Sequence, residues 1–168
     1  MGMYLNSRFP YEEYKNIAGT RFFVDKSAML DEVISSMAVD GQRYLCITRP
    51  RSFGKSVMAN MVGAFFGRAV DGKCLFDRLQ IAESANYEKY RNQYDVISID
   101  FSRMPRDCSS YQQYITRIQD GINQELMKAY PRLGLSLEGA VWDNLQLIFE
   151  EEWGKFVFVI DEWDAIFH

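Results

Sequence analysis

Gly54-Lys55-Ser56 stands between a short apolar run at 43–48 and an amphipathic stretch that begins at Ser56. A glycine, a lysine and a hydroxyl at the junction of a strand and a helix form the pattern of a phosphate loop. Backbone N–H groups in such a turn point inward, and the helix N-terminus adds positive potential, so the turn cradles an anion. Lys55 would reach the β- and γ-phosphates of a nucleotide, and the Ser56 hydroxyl would ligate Mg²⁺. Gly54 leaves room for close backbone approach. The binding segment read from this pattern is Arg49-Pro50-Arg51-Ser52-Phe53-Gly54-Lys55-Ser56-Val57. The general form G-x-x-x-x-G-K-[ST] asks for glycine where this chain has Arg49. On the tripeptide alone, a solvated first-turn lysine and an ordinary turn glycine explain the residues equally well.

A second signal lies downstream. The five apolar residues Phe156-Val157-Phe158-Val159-Ile160 run into Asp161-Glu162, the Walker B pattern of P-loop ATPases. Asp161 at the end of its strand would hold Mg²⁺ directly or through water. Glu162 would orient the attacking water or accept its proton, which makes Glu162 and Lys55 the catalytic pair. The alternative is a strand that ends in a solvated acidic loop. Two such patterns in this order, each after an apolar run, favour nucleotide binding with water as the phosphoryl acceptor; a kinase fits less well.

Composition excludes several other classes. The chain has 168 residues, 48% apolar and 15% aromatic, which suits one folded domain with a core and excludes disorder. Nineteen basic against 23 acidic residues leave a formal charge of −4, so nucleic-acid coating is not supported. The three cysteines, Cys46, Cys74 and Cys108, include no CxxC pair and read as buried or incidental thiols. The only histidine is His168, which leaves no basis for a Ser-His-Asp triad. No run approaches the roughly 20 apolar residues of a membrane span, and the start lacks a signal-peptide apolar region. The expected location is cytoplasmic, with no membrane partner.

The elements that must carry these groups follow from periodicity. Ser27 is read as the N-cap of a helix with Leu30, Val33, Ile34 and Met37 on one face. Arg43-Tyr44-Leu45-Cys46-Ile47-Thr48 reads as a buried strand, and a helix follows to about Phe66 with Met58, Met61, Val62, Phe65 and Phe66 inward. Val96 to Phe101 is the second strand. Ser109 or Ser110 then caps a helix carrying Tyr111, Tyr114, Ile115, Ile118, Ile122 and Leu126, a stripe read as core packing and not as a base-stacking surface. Ser136 opens another helix, with Val141, Leu145, Ile148 and Phe149 inward, and the run at Phe156 forms the third strand. Continuously apolar strands are buried on both faces, as in a largely parallel sheet covered by helices. The expected fold is a three-layer α/β P-loop sheet.

With those residues in place, the sequence resembles the predicted AAA-ATPase-like family of bacteria and archaea. The resemblance rests on Phe22-Phe23-Val24-Asp25-Lys26-Ser27, on Thr48-Arg49-Pro50-Arg51-Ser52-Phe53-Gly54-Lys55-Ser56, and on Val159-Ile160-Asp161-Glu162-Trp163-Asp164. The family carries arginine where Arg49 breaks the general loop pattern. Ser52 replaces a frequent second arginine, and Trp163 a frequent tyrosine. The resemblance covers nearly the whole chain and implies an ATP- and Mg²⁺-dependent domain of the catalytic-glutamate P-loop class. Members often continue into a PD-(D/E)XK nuclease-like domain. In the family context Asp25-Lys26 lies near the nucleotide or, alternatively, forms a local charge pair at a helix start. Arg51 either touches the γ-phosphate or pairs with an acid such as Asp161 or Asp164.

In that class further strands follow the Walker B strand, one of them between it and the phosphate-loop strand. The chain ends six residues after Glu162, so residues 1–168 are expected to be the N-terminal part of the domain. The gap would close up or be filled by strand swapping in a homo-oligomer. The expected function is ATP binding, with hydrolysis in the complete protein. The alternatives are a nucleotide-dependent switch with little turnover, or the ATPase module of a nuclease-fused protein.

Overall fold

Asp95 to Asp100 and Phe156 to Asp161 form the two strands of a parallel sheet, joined by a long helical crossover. The computed structural model describes residues 2–39, 41–48, 50, 53–102, 108 and 110–167. Contacts divide the chain into two units, Arg8–Gln93 and Met1–Ser7 with Tyr94–His168.

The first unit is helical. It contains α1 (Phe9–Ala18), α2 (Met29–Met37), α3 (Lys55–Phe66) and the short α4 (Lys73–Phe76) and α5 (Tyr87–Tyr90). Helical spacing on α2 buries Leu30, Val33 and Ile34. On α3 it buries Met58, Met61, Phe65 and Phe66. Tyr14 of α1 stacks on Phe76 with ring centroids 5.6 Å apart, and Phe65 meets Phe76 edge-on at 5.3 Å. These rings bury large apolar areas in a small unit, so they dominate its packing. Asn92, at a left-handed φ of 56°, closes the far end of α3. Its backbone N–H donates to the Phe65 carbonyl at 2.8 Å, and its side-chain amide donates to the carbonyls of Gly67 and Val70.

The second unit holds β1 (Asp95–Asp100), α6 (Tyr111–Ala129), α7 (Val141–Glu152) and β2 (Phe156–Asp161). The Ser110 hydroxyl caps α6 by accepting the Gln113 N–H at 3.2 Å. Tyr114, Ile118, Ile122 and Leu126 of α6 and Leu145 and Ile148 of α7 pack with Ile97 of β1. Leu5 bridges Ile97 antiparallel, and Asn6 exchanges hydrogen bonds with Val96, so residues 4–6 line the edge of β1 away from β2. Two buried amides pin the loop before α7. Asn144 donates to the Asn123 oxygen at 2.9 Å and to the Ser136 carbonyl at 2.7 Å, while Asn123 donates to the Gly139 carbonyl at 2.8 Å.

Several expectations are corrected. The sheet of the described residues has two parallel strands, β1 and β2. Residues 43–48 form no strand and join no ladder among the described residues, and Tyr44 is 96% exposed. An apolar run fixes what a strand buries, but a strand also needs a neighbour for its N–H and C=O groups. β2 has a strand on one side only among the described residues, and it leaves Phe158 and Ile160 46% and 51% exposed. Tyr111 and Phe149, read as core, are exposed because they sit at the margins of their helices' apolar faces. Ser27 caps nothing: it is fully buried, and its hydroxyl accepts the Ile81 N–H at 3.0 Å. Helix α7 starts at Val141, since Ser136 is held by Asn144. Of the two readings of the cysteines, Cys46 and Cys74 fit the incidental one, since both are exposed free thiols.

Candidate phosphate-binding loop and acidic strand end

Gly54 sits at φ 80°, ψ 26°, immediately before the first residue of α3. That left-handed conformation costs any residue with a Cβ, which is why glycine stands there. Lys55 and Ser56 are therefore the first two residues of the helix. The Met58 N–H donates to the Gly54 carbonyl at 3.0 Å, which starts the α-helical ladder. The N–H groups of Lys55, Ser56 and Val57 find no acceptor among the described residues. A helix start leaves such donors open by construction.

The electrostatics at this end are unusual in sign. Asp or Glu normally complements the positive pole of a helix. The first turn of α3 holds no acid and instead carries Lys55, which is half-buried and has no ion pair among the described residues. A cation at the positive pole is unfavourable until an anion joins it. Ser56 is exposed beside it. Pro50 and Phe53 lead into the turn, with the Phe53 N–H 3.3 Å from the Pro50 carbonyl, and Phe53 is exposed. Arg49, Arg51 and Ser52 lie outside the described residues.

The acidic strand end is in the second unit. Asp161 is the last residue of β2, where side chains emerge at the C-terminal edge of the parallel pair. It is half-buried, and its Oδ1 accepts the Glu162 N–H at 3.0 Å. Its other oxygen has no partner among the described residues. Glu162 follows at a left-handed φ of 50°, an uncommon conformation for glutamate that turns the chain out of the strand. Its carbonyl accepts the Ala165 N–H at 3.0 Å. The Ser56 hydroxyl and the Asp161 carboxylate are hard oxygen donors of the kind Mg²⁺ takes.

Asp25 has a structural task. Its carboxylate accepts the Ser27 N–H at 2.8 Å and the Gln80 N–H at 2.7 Å. Together with the Ser27–Ile81 bond, this staples the segment before α2 to the turn at Gln80–Glu83. Lys26 is not part of that staple and lines a cavity beside Gly54.

Sequence reasoning missed Glu125, whose carboxylate accepts the N–H groups of Met3, Tyr4 and Leu5 at 2.5, 2.9 and 2.7 Å. No local pattern announces a contact across about 120 residues.

The described residues form a mixed α/β protein with a two-stranded parallel sheet. A family model described as predicted AAA-ATPase matches residues 11–168, and the chain belongs to that family. No curated protein and no solved structure matches it. No helix among the described residues is long and apolar enough to cross a membrane.

Proposed function

We propose that this chain binds MgATP through the loop that ends at Gly54 and supports its hydrolysis to ADP and phosphate. The observation that carries the reading is the start of α3, where a left-handed glycine meets a helix pole whose first turn has no acid, and where, among the described residues, three N–H groups have no acceptor and Lys55 has no ion pair. An anion relieves all of these at once. Family membership supports a nucleotide as that anion.

In this reading the N–H groups of Lys55, Ser56 and Val57 hold phosphate oxygens in place. The Lys55 ammonium lies against the β- and γ-phosphates and steadies the charge that develops as the γ-phosphoryl leaves. The Ser56 hydroxyl and the Asp161 carboxylate would hold Mg²⁺, which when bound neutralises phosphate charge. Glu162 accepts the proton of the attacking water, so that water oxygen forms the new bond to phosphorus while the bond to the ADP oxygen breaks. The reading includes the three-layer P-loop framework, with β1 and β2 as neighbouring strands.

Calorimetric titration with MgATP tests it. The wild-type chain binds saturably, Lys55→Ala weakens binding at least tenfold (on the order of 1.4 kcal/mol or more), and Glu162→Gln binds but releases no phosphate. Equal affinity in wild type and Lys55→Ala contradicts the proposal.

A further inference from the structure

Helix α7 turns one face inward, burying Asn144, Leu145 and Ile148, and carries a second apolar line in solvent. Trp142 and Phe149 are seven residues apart, so they stand in register two turns, about 10 Å, from one another. They are 71% and 54% exposed. Trp153 extends the line past the helix end: it is 75% exposed, and its ring centroid lies 5.9 Å from that of Phe149. A lone exposed apolar side chain is ordinary on a surface, whereas large aromatics aligned in one ridge mark an interaction site.

The charges beside the ridge are of one sign. Asp143 in the first turn of α7 and Glu150, Glu151 and Glu152 in its last are exposed, and the helix holds no basic residue. Asp143 and Glu150 repeat the seven-residue spacing of Trp142 and Phe149, so they run along one flank of the ridge. None of these acids has an ion pair among the described residues; Glu150 accepts only the neutral Gln146 amide, at 2.9 Å. Three carboxylates also crowd the C-terminal pole of the helix, where the dipole favours a cation. Cations carried next to apolar side chains would complement ridge, flank and pole together.

We propose that the Trp142–Phe149–Trp153 ridge docks a basic amphipathic helix of a partner protein, with its lysines or arginines beside Asp143 and Glu150. An amphipathic helix presents apolar anchors at i, i+3 or i+4 and i+7, the spacing of the ridge itself. Its cations also gain from the faces of the exposed indoles. A second copy of this chain fits less well, because α7 laid on α7 brings acidic flanks together, and like charges juxtaposed across an interface cost affinity. The same acids disfavour an anionic lipid surface.

Two synthetic helical peptides of about four turns serve as probes. Both carry leucine along one face; one has lysine at the remaining positions and the other glutamate. Binding to the full chain is measured by calorimetry, and the self-association of the chain by sedimentation. The lysine peptide is expected to bind saturably, and the glutamate peptide at least tenfold more weakly. Trp142→Ser should weaken the lysine peptide at least tenfold, as loss of an aromatic anchor does; Trp142 is too exposed for this change to threaten folding. Asp143→Asn combined with Glu150→Gln should cost about threefold and flatten the dependence on salt. The proposal is overturned if the lysine peptide fails to bind, if it binds Trp142→Ser as well as wild type, or if both peptides bind alike. A dimer of the wild-type chain that Trp142→Ser abolishes would also overturn it, by assigning the ridge to a second copy.

Discussion

Asp100 and Asp161 are register partners at the C-terminal ends of β1 and β2, so two carboxylates close the parallel pair side by side. They are engaged differently. The Asp100 Oδ1 accepts the Ser102 N–H at 3.0 Å and the Ser102 hydroxyl at 2.6 Å, closing the turn after β1. The Asp161 carboxylate accepts only the N–H of its neighbour Glu162 among the described residues, at 3.0 Å. One carboxylate shapes the backbone; the other is available to a ligand.

Asp161→Asn should therefore weaken the Mg²⁺ dependence of ATP binding by about tenfold or more, because a charged oxygen donor is lost. Asp100→Asn keeps an oxygen that can accept both Ser102 bonds. It should change that dependence less than about twofold, well under the 1.4 kcal/mol of a tenfold change. Magnesium titrations at fixed ATP separate the two.

Gly54→Ala probes the turn itself. A Cβ there would meet nothing closer than the Val57 side chain at 3.9 Å, so the cost is conformational and not steric. At φ 80° it should be roughly 1–2 kcal/mol. A lowered urea midpoint with an unchanged slope is the expected outcome, together with weaker MgATP binding.

Glu125 ties the N-terminal segment to α6 through three backbone N–H groups. Glu125→Ala leaves those donors to water and frees residues 3–5 from the edge of β1. Charge-assisted bonds of this kind suggest a loss of about 2 kcal/mol. Chemical denaturation measures it, and faster amide exchange at Ser98, whose N–H donates to the Tyr4 carbonyl, locates it.

The Arg8–Gln93 unit should lose stability in acid. The Arg91 guanidinium, bonded to Glu88 at 2.8 Å, holds that carboxyl below its ordinary value, and the Tyr87 hydroxyl does the same for Asp77. A depressed carboxyl stabilises the fold above its unfolded pKa, and that contribution disappears as pH falls through the folded one. The melting temperature should thus hold at neutral pH and drop below about pH 4, the ordinary carboxylate range. Glu88→Gln should flatten that drop, and an identical profile in wild type and variant would rule out this pair as its source.

Periodicity made α2, α3, α6 and both strands legible, because a helix face or a strand core repeats along the sequence. Gly54 and Asp161 were legible for a related reason: each marks a change of element, from turn to helix and from strand to loop. What covers an apolar run is not written in that run. Residues 43–48 and the exposed Phe158 and Ile160 of β2 show this, since burial depends on partners distant in sequence. The Asn123–Asn144 pair and the Asp25 staple were hidden likewise, because their hydrogen bonds join segments 21 and 55 residues apart. A serine such as Ser27 or Ser136 looks like a helix cap until its long-range partner is known.

Amide chemical-shift mapping of the chain with MgATP tests the central claim most directly. The account predicts the largest changes at Gly54, Lys55, Ser56 and Val57, all lost in Lys55→Ala. Shifts confined to other segments, with the start of α3 unmoved, would contradict it.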